Sequence, residues 1–195
     1  MQACFGFTLA NAQGNIRSNP ELGGGALLDA GSYPLSLIRL VMGCAPLSVK
    51  ADATWTDSGV DLSTMATLLY ADGRRAQMSC AMDAANHRRA TIVGSNGTIE
   101  TEYLNHTSAD DRHPWGYLPS QLRVRQGTAF NIPFEEIQTP TGSGFRFAAE
   151  VFAKLIADQD YAAIERAASA SMDIAATLEA IARSSRSGES VTLAT

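Results

Sequence analysis

The chain has 195 residues, with 15 Lys and Arg against 20 Asp and Glu for a net charge of −5 and a pI near 5.1. That balance, with the arginines scattered rather than striped, excludes nucleic acid as an expected partner, and no apolar run approaches the ~20 residues that would span a bilayer. Cys4, Cys44 and Cys80 stand apart without C-x-x-C spacing, which fits a reducing cytoplasm, and His87, His106 and His113 show no metal-ligand spacing, so no metal site is expected.

Residues 3–10, ACFGFTLA, alternate Phe5, Phe7 and Leu9 with Cys4, Gly6 and Thr8, which predicts a strand. It begins so close to Met1 that the start reads as truncated or artificial. Residues 11–25 form a polar loop leading into GGGALLDAGSYPLSLIRLVMG (23–43), the stretch around which the chain is organised. Within it, Leu28, Leu35, Ile38 and Met42, with Leu27 and Val41 beside them, recur at helical spacing and predict a core-facing stripe on a helix over 26–42. Asp29 and Tyr33 stand four residues apart on another side, about 5–6 Å apart at Cβ on a regular helix and close enough to act on one small molecule. Gly31 leaves room beside them for a backbone or a ligand, and Pro34 is expected to kink the helix just past Tyr33. Such a pair is either a site or a buried acid and phenol that satisfy each other. Arg17 is the one cation near the motif, either solvated in its loop or in contact with substrate or cofactor.

After Gly43, residues 47–56 and 62–71 read as strands. Asp72–Gly73 signals a hairpin into a strand over 74–83, and Ser95–Asn96–Gly97 a second hairpin joining 88–94 to 97–102. The result is a mostly antiparallel meander. Residues 104–120 form a long loop whose His113, Trp115 and Tyr117 make it a candidate rim or lid, against the alternative of an ordinary packed surface loop. Short strands follow at 121–126 and 130–138, with Pro133 pointing to an edge. An amphipathic helix begins at Phe145, an Ala-rich helix covers 164–185, and residues 190–193 close the chain as a strand.

GGGALLDAGSYPLSLIRLVMG resembles the glycine-rich motif of the C-terminal domain in the glucose–fructose oxidoreductase/inositol dehydrogenase/MocA family. The resemblance is closest to the branch holding dimeric dihydrodiol dehydrogenases and xylose-type sugar dehydrogenases. The lead-in FGFTLANAQGNIRSNPELGGG (5–25), the hairpin TIVGSNGTIE (91–100) and the ending EAIARSSRSGESVTL (179–193) fit the same pattern. The resemblance implies that Asp29 and Tyr33 occupy that domain's two active-site positions, where many relatives have His in place of Tyr33. It also implies a nucleotide-binding Rossmann domain whose lysine joins the catalytic set. This chain has no G-x-G-x-x-G, and neither of its lysines, Lys50 and Lys154, lies in a recognisable family motif.

The reading is therefore an α+β domain over 1–195, an open and mostly antiparallel β-sheet with helices packed on one face, lacking the Rossmann domain. Its expected function is that of the substrate-binding and dimerisation half of an NAD(P)-dependent oxidoreductase acting on a sugar or diol hydroxyl, silent alone. The alternative is a stand-alone, non-catalytic sheet domain for assembly or ligand binding. A free tyrosine, with a pKa of ~10, is a poor base at neutral pH without a nearby cation, and a charged Asp opposes its ionisation. The resemblance assigns that cation to the Rossmann lysine. Tyr33 is thus expected to exchange the proton of the reacting hydroxyl and Asp29 to orient the sugar, with Arg17 and Phe7 as candidate substrate-binding residues. The intact enzyme would use NAD or NADP, and none is expected bound here. The open sheet face, carrying Arg75, Gln77, Ser79 and Ala81, is expected to pair two copies into a homodimer. Helices at 26–42, 145–157 and 164–185 would cover the other face.

Overall fold

A computed structural model describes residues 1–102, 107–108, 112, 118–119 and 121–193. His113, Trp115 and Tyr117, the residues behind the rim-or-lid expectation for 104–120, lie outside the described residues. In chain order the elements are β1 (Gln2–Thr8), α1 (Ala26–Asp29), α2 (Ser32–Met42), β2 (Ser48–Trp55), β3 (Asp61–Leu69), β4 (Arg75–Ala81) and β5 (Asp83–Gly94). They continue with β6 (Gly97–Glu102), β7 (Gln121–Gln126), β8 (Glu135–Glu136), α3 (Gly144–Ala157), α4 (Tyr161–Ser187) and β9 (Val191–Thr192). The strands hydrogen-bond in the order β8-β7-β6-β5-β1-β4-β3-β2-β9 in one open sheet. The β2–β3, β3–β4, β5–β6, β6–β7, β7–β8 and β2–β9 ladders are antiparallel. The β1–β4 ladder is parallel, Phe5 facing Cys80, and the long crossover this demands contains α1 and α2.

Contacts divide the chain into two compact units, residues 1–88 with 170–195, and residues 89–169. In the first, strand alternation sorts the side chains cleanly. Ala3 and Phe5 of β1, Val49 and Ala51 of β2, Thr64, Ala66 and Leu68 of β3, and Ala76, Met78 and Cys80 of β4 are all buried. Leu35 and Ile38 of α2 and Ile181 of α4 fill the same layer. Arg39 on α2 pairs with Asp173 on α4 at 2.7 Å, and Ser184 Oγ accepts the Ala51 N–H of β2 at 2.9 Å. The helices thus lie on the buried side. On the other side the register sets Lys50, Thr67, Gln77 and Gln2 in one row and Asp52, Met65, Ser79 and Cys4 in the next.

The glycine-rich helix departs from expectation in three respects. It is broken at Ala30–Gly31, before Tyr33 rather than after it, because Pro34 cannot donate to the Ala30 carbonyl and crowds it from one turn ahead, leaving it a long bond of 3.4 Å from the Tyr33 N–H. Pro34 then sits in the first turn of α2, where a missing N–H costs nothing. The break resets the helical phase, so Leu27 stays buried while Leu28 is 51% exposed, and Val41 falls at the stripe's edge at 37%. Gly31 is filled rather than spacious: a Cβ there would lie 2.5 Å from the Leu27 carbonyl oxygen and 3.1 Å from Cys80 Sγ.

In the second unit, Ser95 and Asn96 make the two-residue β5–β6 turn, with Gly94 paired to Gly97. Arg89 pairs with Glu102, Arg123 with Glu100 at 2.6 Å, and the Arg125 guanidinium lies 4.2 Å from the Phe134 ring centre. The strand expected over 130–138 contracts to Glu135–Glu136, at the sheet edge that Pro133 implied. The amphipathic α3 forms but buries none of its residues, so the covering role expected of it is not met; Phe145 is 66% and Phe152 58% exposed.

Candidate functional site

The site is assembled in the first unit, where β1, the lead-in loop and the α1–α2 break meet. The lead-in is not irregular: residues Ile16–Ser18 and Pro20–Leu22 form two single-turn 3₁₀ helices, capped by Asn15 and Asn19. They turn Arg17 back toward α1, where its Nε lies 2.8 Å from Asp29 Oδ2. The contact is a close ion pair rather than an aligned hydrogen bond, since the buried Nε–H lacks a well-directed acceptor. Asp29, opposed by partial burial, holds the Arg17 guanidinium above its ordinary pKa, and Tyr33 adds to the effect through space. Arg17 also stands 5.8 Å from the Phe7 ring centre.

Tyr33 stacks on Phe5, ring centres 4.7 Å apart and planes 14° from parallel. Sequence reasoning missed Arg88, whose guanidinium lies 4.5 Å from the centre of that same Phe5 ring. Because neighbours on a strand point to opposite faces, His87 goes the other way: its ring fills the place of a Gly6 side chain, a Cβ there falling 2.2 Å from Cε1. Of the sequence-selected residues, Arg17 meets Asp29 directly and Phe7 through its ring face, and Tyr33 joins them by way of the adjacent Phe5. Neither lysine belongs to the group. Lys50 is exposed on β2, and Lys154 pairs with Asp158 at the end of α3.

The glycine triplet has a structural explanation. Gly23 closes the second 3₁₀ turn at φ 71°. A Cβ on Gly24 would sit 2.5 Å from the Arg17 carbonyl oxygen, and one on Gly25, at φ 117°, 2.1 Å from Asp61 Oδ1. Asp61, 7% exposed at the start of β3, accepts from the Leu27 N–H and from Thr64 Oγ1, each at 2.8 Å. A carboxylate on the first free amides of a helix is the favourable arrangement, and here it comes from the chain itself. The motif is therefore closed around Asp61 and the Arg17 carbonyl and does not fit a dinucleotide pyrophosphate. Among the described residues there is also no cluster of three or more His, Cys, Asp or Glu that could hold a metal, and no helix is long and apolar enough to cross a membrane.

The fold and the glycine-rich motif point to the C-terminal domain of an oxidoreductase family. Residues 1–100 match the GFO/IDH/MocA C-terminal domain, and the chain belongs to that family. It is 30% identical over 155 residues to trans-1,2-dihydrobenzene-1,2-diol dehydrogenase of Danio rerio, covering 77% of this chain and 42% of the relative. It is 27% identical over 190 residues to D-xylose 1-dehydrogenase (NADP(+)) 2 of Haloferax volcanii, covering 97% of this chain and 54% of the relative. The chain thus spans about half the length of the curated relatives it matches. The fold is that of aldose-aldose oxidoreductase from Caulobacter crescentus, solved with glycerol, at a TM-score of 0.75 and 23% identity over 98% of this chain and 54% of that one.

Proposed function

We propose that this chain is the substrate-binding and dimerisation half of an NAD(P)-dependent oxidoreductase acting on a sugar or diol hydroxyl, and that it is catalytically silent alone. The observation that carries the reading is the Arg17–Asp29 pair beside Tyr33, set over the Phe5 and Phe7 rings at the family's motif. The xylose dehydrogenase and dihydrodiol dehydrogenase relatives supply the substrate class. A nicotinamide, held by a nucleotide-binding domain, supplies the hydride acceptor.

The residues of this chain handle the hydroxyl and its proton. Arg17 neutralises Asp29, so the carboxylate accepts hydrogen bonds from two vicinal hydroxyls without presenting a bare charge to a polyol. The half-buried Phe7 ring offers apolar surface to the C–H face of a sugar or to a diol ring, while the buried Phe5 ring holds Tyr33 in place. Tyr33, fixed in orientation by its stack on Phe5, accepts on its phenolate oxygen the proton that leaves the reacting hydroxyl and becomes the neutral phenol, with Arg17 as the cation of this chain coupled to it. Without the partner domain no hydride is transferred.

The test is to join the chain to the nucleotide-binding half of a relative such as the Haloferax volcanii enzyme and follow NADPH formation with xylose or a trans-diol. Tyr33→Phe is expected to lower turnover by roughly 10²-fold or more, as for loss of a general acid–base, with the fold intact. Asp29→Asn is expected to lower it as well. Near-normal turnover in both variants would make the Asp29 and Tyr33 pair structural only, and no turnover in the joined parent chain would leave the alternative, a non-catalytic sheet domain for assembly or ligand binding.

A further inference from the structure

We propose that Asp61 is a positioning residue for the Arg17–Asp29 pair, fastening both partners of the site through one buried carboxylate. The assignment deepens the proposed polyol site and rests on that reading for its functional meaning, while its geometry stands independently. Both ends of the pair lead to Asp61. On the Asp29 side, Asp61 Oδ2 accepts the Leu27 N–H at 2.8 Å, two residues before Asp29 in the same turn of α1. On the Arg17 side, the Gly25 N–H donates to the Arg17 carbonyl at 2.9 Å, and Asp61 Oδ1 occupies the space where any side chain on Gly25 would go.

The carboxylate is itself held. Thr64 Oγ1, one turn of strand further along β3, donates to the same Oδ2 at 2.8 Å, so two donors fix the torsion of a side chain that is 7% exposed. The turn before Asp61 reinforces the arrangement, since Ser58 Oγ donates to the Ser18 carbonyl, next to Arg17, at 3.2 Å. The turn is tied internally by the Thr56 N–H to Val60 carbonyl bond at 2.9 Å. The glycine-rich motif thus serves as a socket: Gly24 and Gly25 lack side chains so that the Arg17 carbonyl and Asp61 can close on each other. The pair's side chains are 36% and 32% exposed. Its geometry is set by the backbone to which Asp61 is bound.

The readout is solvent exchange of the Arg17 Nε–H, a buried proton seen directly by NMR in the intact chain. Removing the acceptor in Asp61→Ala is expected to speed that exchange by about tenfold or more, because a freed helix start lets the pair open locally. Asp61→Asn, which keeps an acceptor oxygen, is expected to restore most of the protection. Thr64→Val removes only one donor and is expected to give an intermediate effect, and it decides the matter if Asp61→Ala fails to fold. Leu68→Ala, a core truncation on the same strand, is the control for general loosening. Unchanged Arg17 exchange in the folded Asp61 and Thr64 variants, or exchange no faster than in the control, would overturn the assignment. Polyol binding is not part of this readout, so failure of the proposed function and failure of the Asp61 role are separable.

Discussion

The Arg17–Asp29 ion pair is half-exposed on both sides, and such pairs contribute about 0–1 kcal/mol to folding. Its proposed role is to hold a neutralised carboxylate beside Tyr33 for substrate, not to hold the fold together. Asp29→Asn is therefore expected to shift the urea unfolding free energy by less than ~1 kcal/mol. A much larger loss would make the pair a structural element rather than a site. A second residue-scale prediction concerns pH. Burial, with the Asp61 charge second, pushes the Cys80 thiol from 9.0 to about 12, and burial likewise pushes the Tyr70 phenol from 10.0 to about 12. Below pH 9 both groups stay protonated in the folded and unfolded chain, and neither makes stability depend on pH. Between about 9 and 12 the unfolded chain releases the Cys80 proton while the folded chain keeps it, so stability falls as pH rises through that window. Cys80→Ala should flatten the decline in a pH series of denaturation midpoints, whatever its cost at neutral pH. The i,i+4 spacing made Asp29 and Tyr33 legible in the sequence because their relation is local. Asp61 was not legible, since it lies 34 residues from the Leu27 amide it binds, and Arg88 joins Tyr33 only through a ring on another strand.

Among the elements, hairpins and strands were read best where a turn and an alternation agreed. Gly73, at φ 86°, closes the β3–β4 hairpin, and β6 and β7 begin and end where their patterns did. The parallel β1–β4 pairing was missed because pairing direction is a property of the crossover, not of either strand. The helix was misphased because a single 3.6-residue period was drawn through Pro34, whose effect falls a turn upstream. Two glycines with positive φ separate backbone strain from close packing. A Cβ on Gly73 would meet nothing within 4 Å, so Gly73→Ala should cost about 1 kcal/mol from conformation alone. Gly25→Ala adds a collision with Asp61 to the same kind of strain and should cost clearly more, about 2–4 kcal/mol. Equal costs in thermal unfolding would mean that Asp61 swings aside freely, against the socket described above.

At the scale of the molecule, the fold class followed from composition, patterning and the glycine-rich motif, which together carry most of the sheet and its helical layer. The exposed α3 did not follow, because amphipathicity reports which face of a helix is apolar and not what covers it. The open face of the first unit presents Lys50, Thr67, Gln77 and Gln2 in one row and Asp52, Met65, Ser79 and Cys4 in the next, with Met65 66% exposed. With one Lys and one Asp among mostly small polar side chains, that is the surface through which two copies are proposed to pair. Light scattering at tens of micromolar is expected to give a dimer that Ser79→Arg converts to monomer; a monomer, or a dimer indifferent to the arginine, would count against pairing through this face. The central claim, that Arg17, Asp29 and Tyr33 form a polyol site, is tested most directly by titrating the isotope-labelled chain with D-xylose and a trans-diol and following its NMR spectrum. The account predicts that the Arg17 Nε–H, the Tyr33 ring and the amides around Asp29 shift together along one binding curve that Asp29→Asn abolishes. Shifts confined to other surfaces, or a curve unchanged in Asp29→Asn, would contradict it.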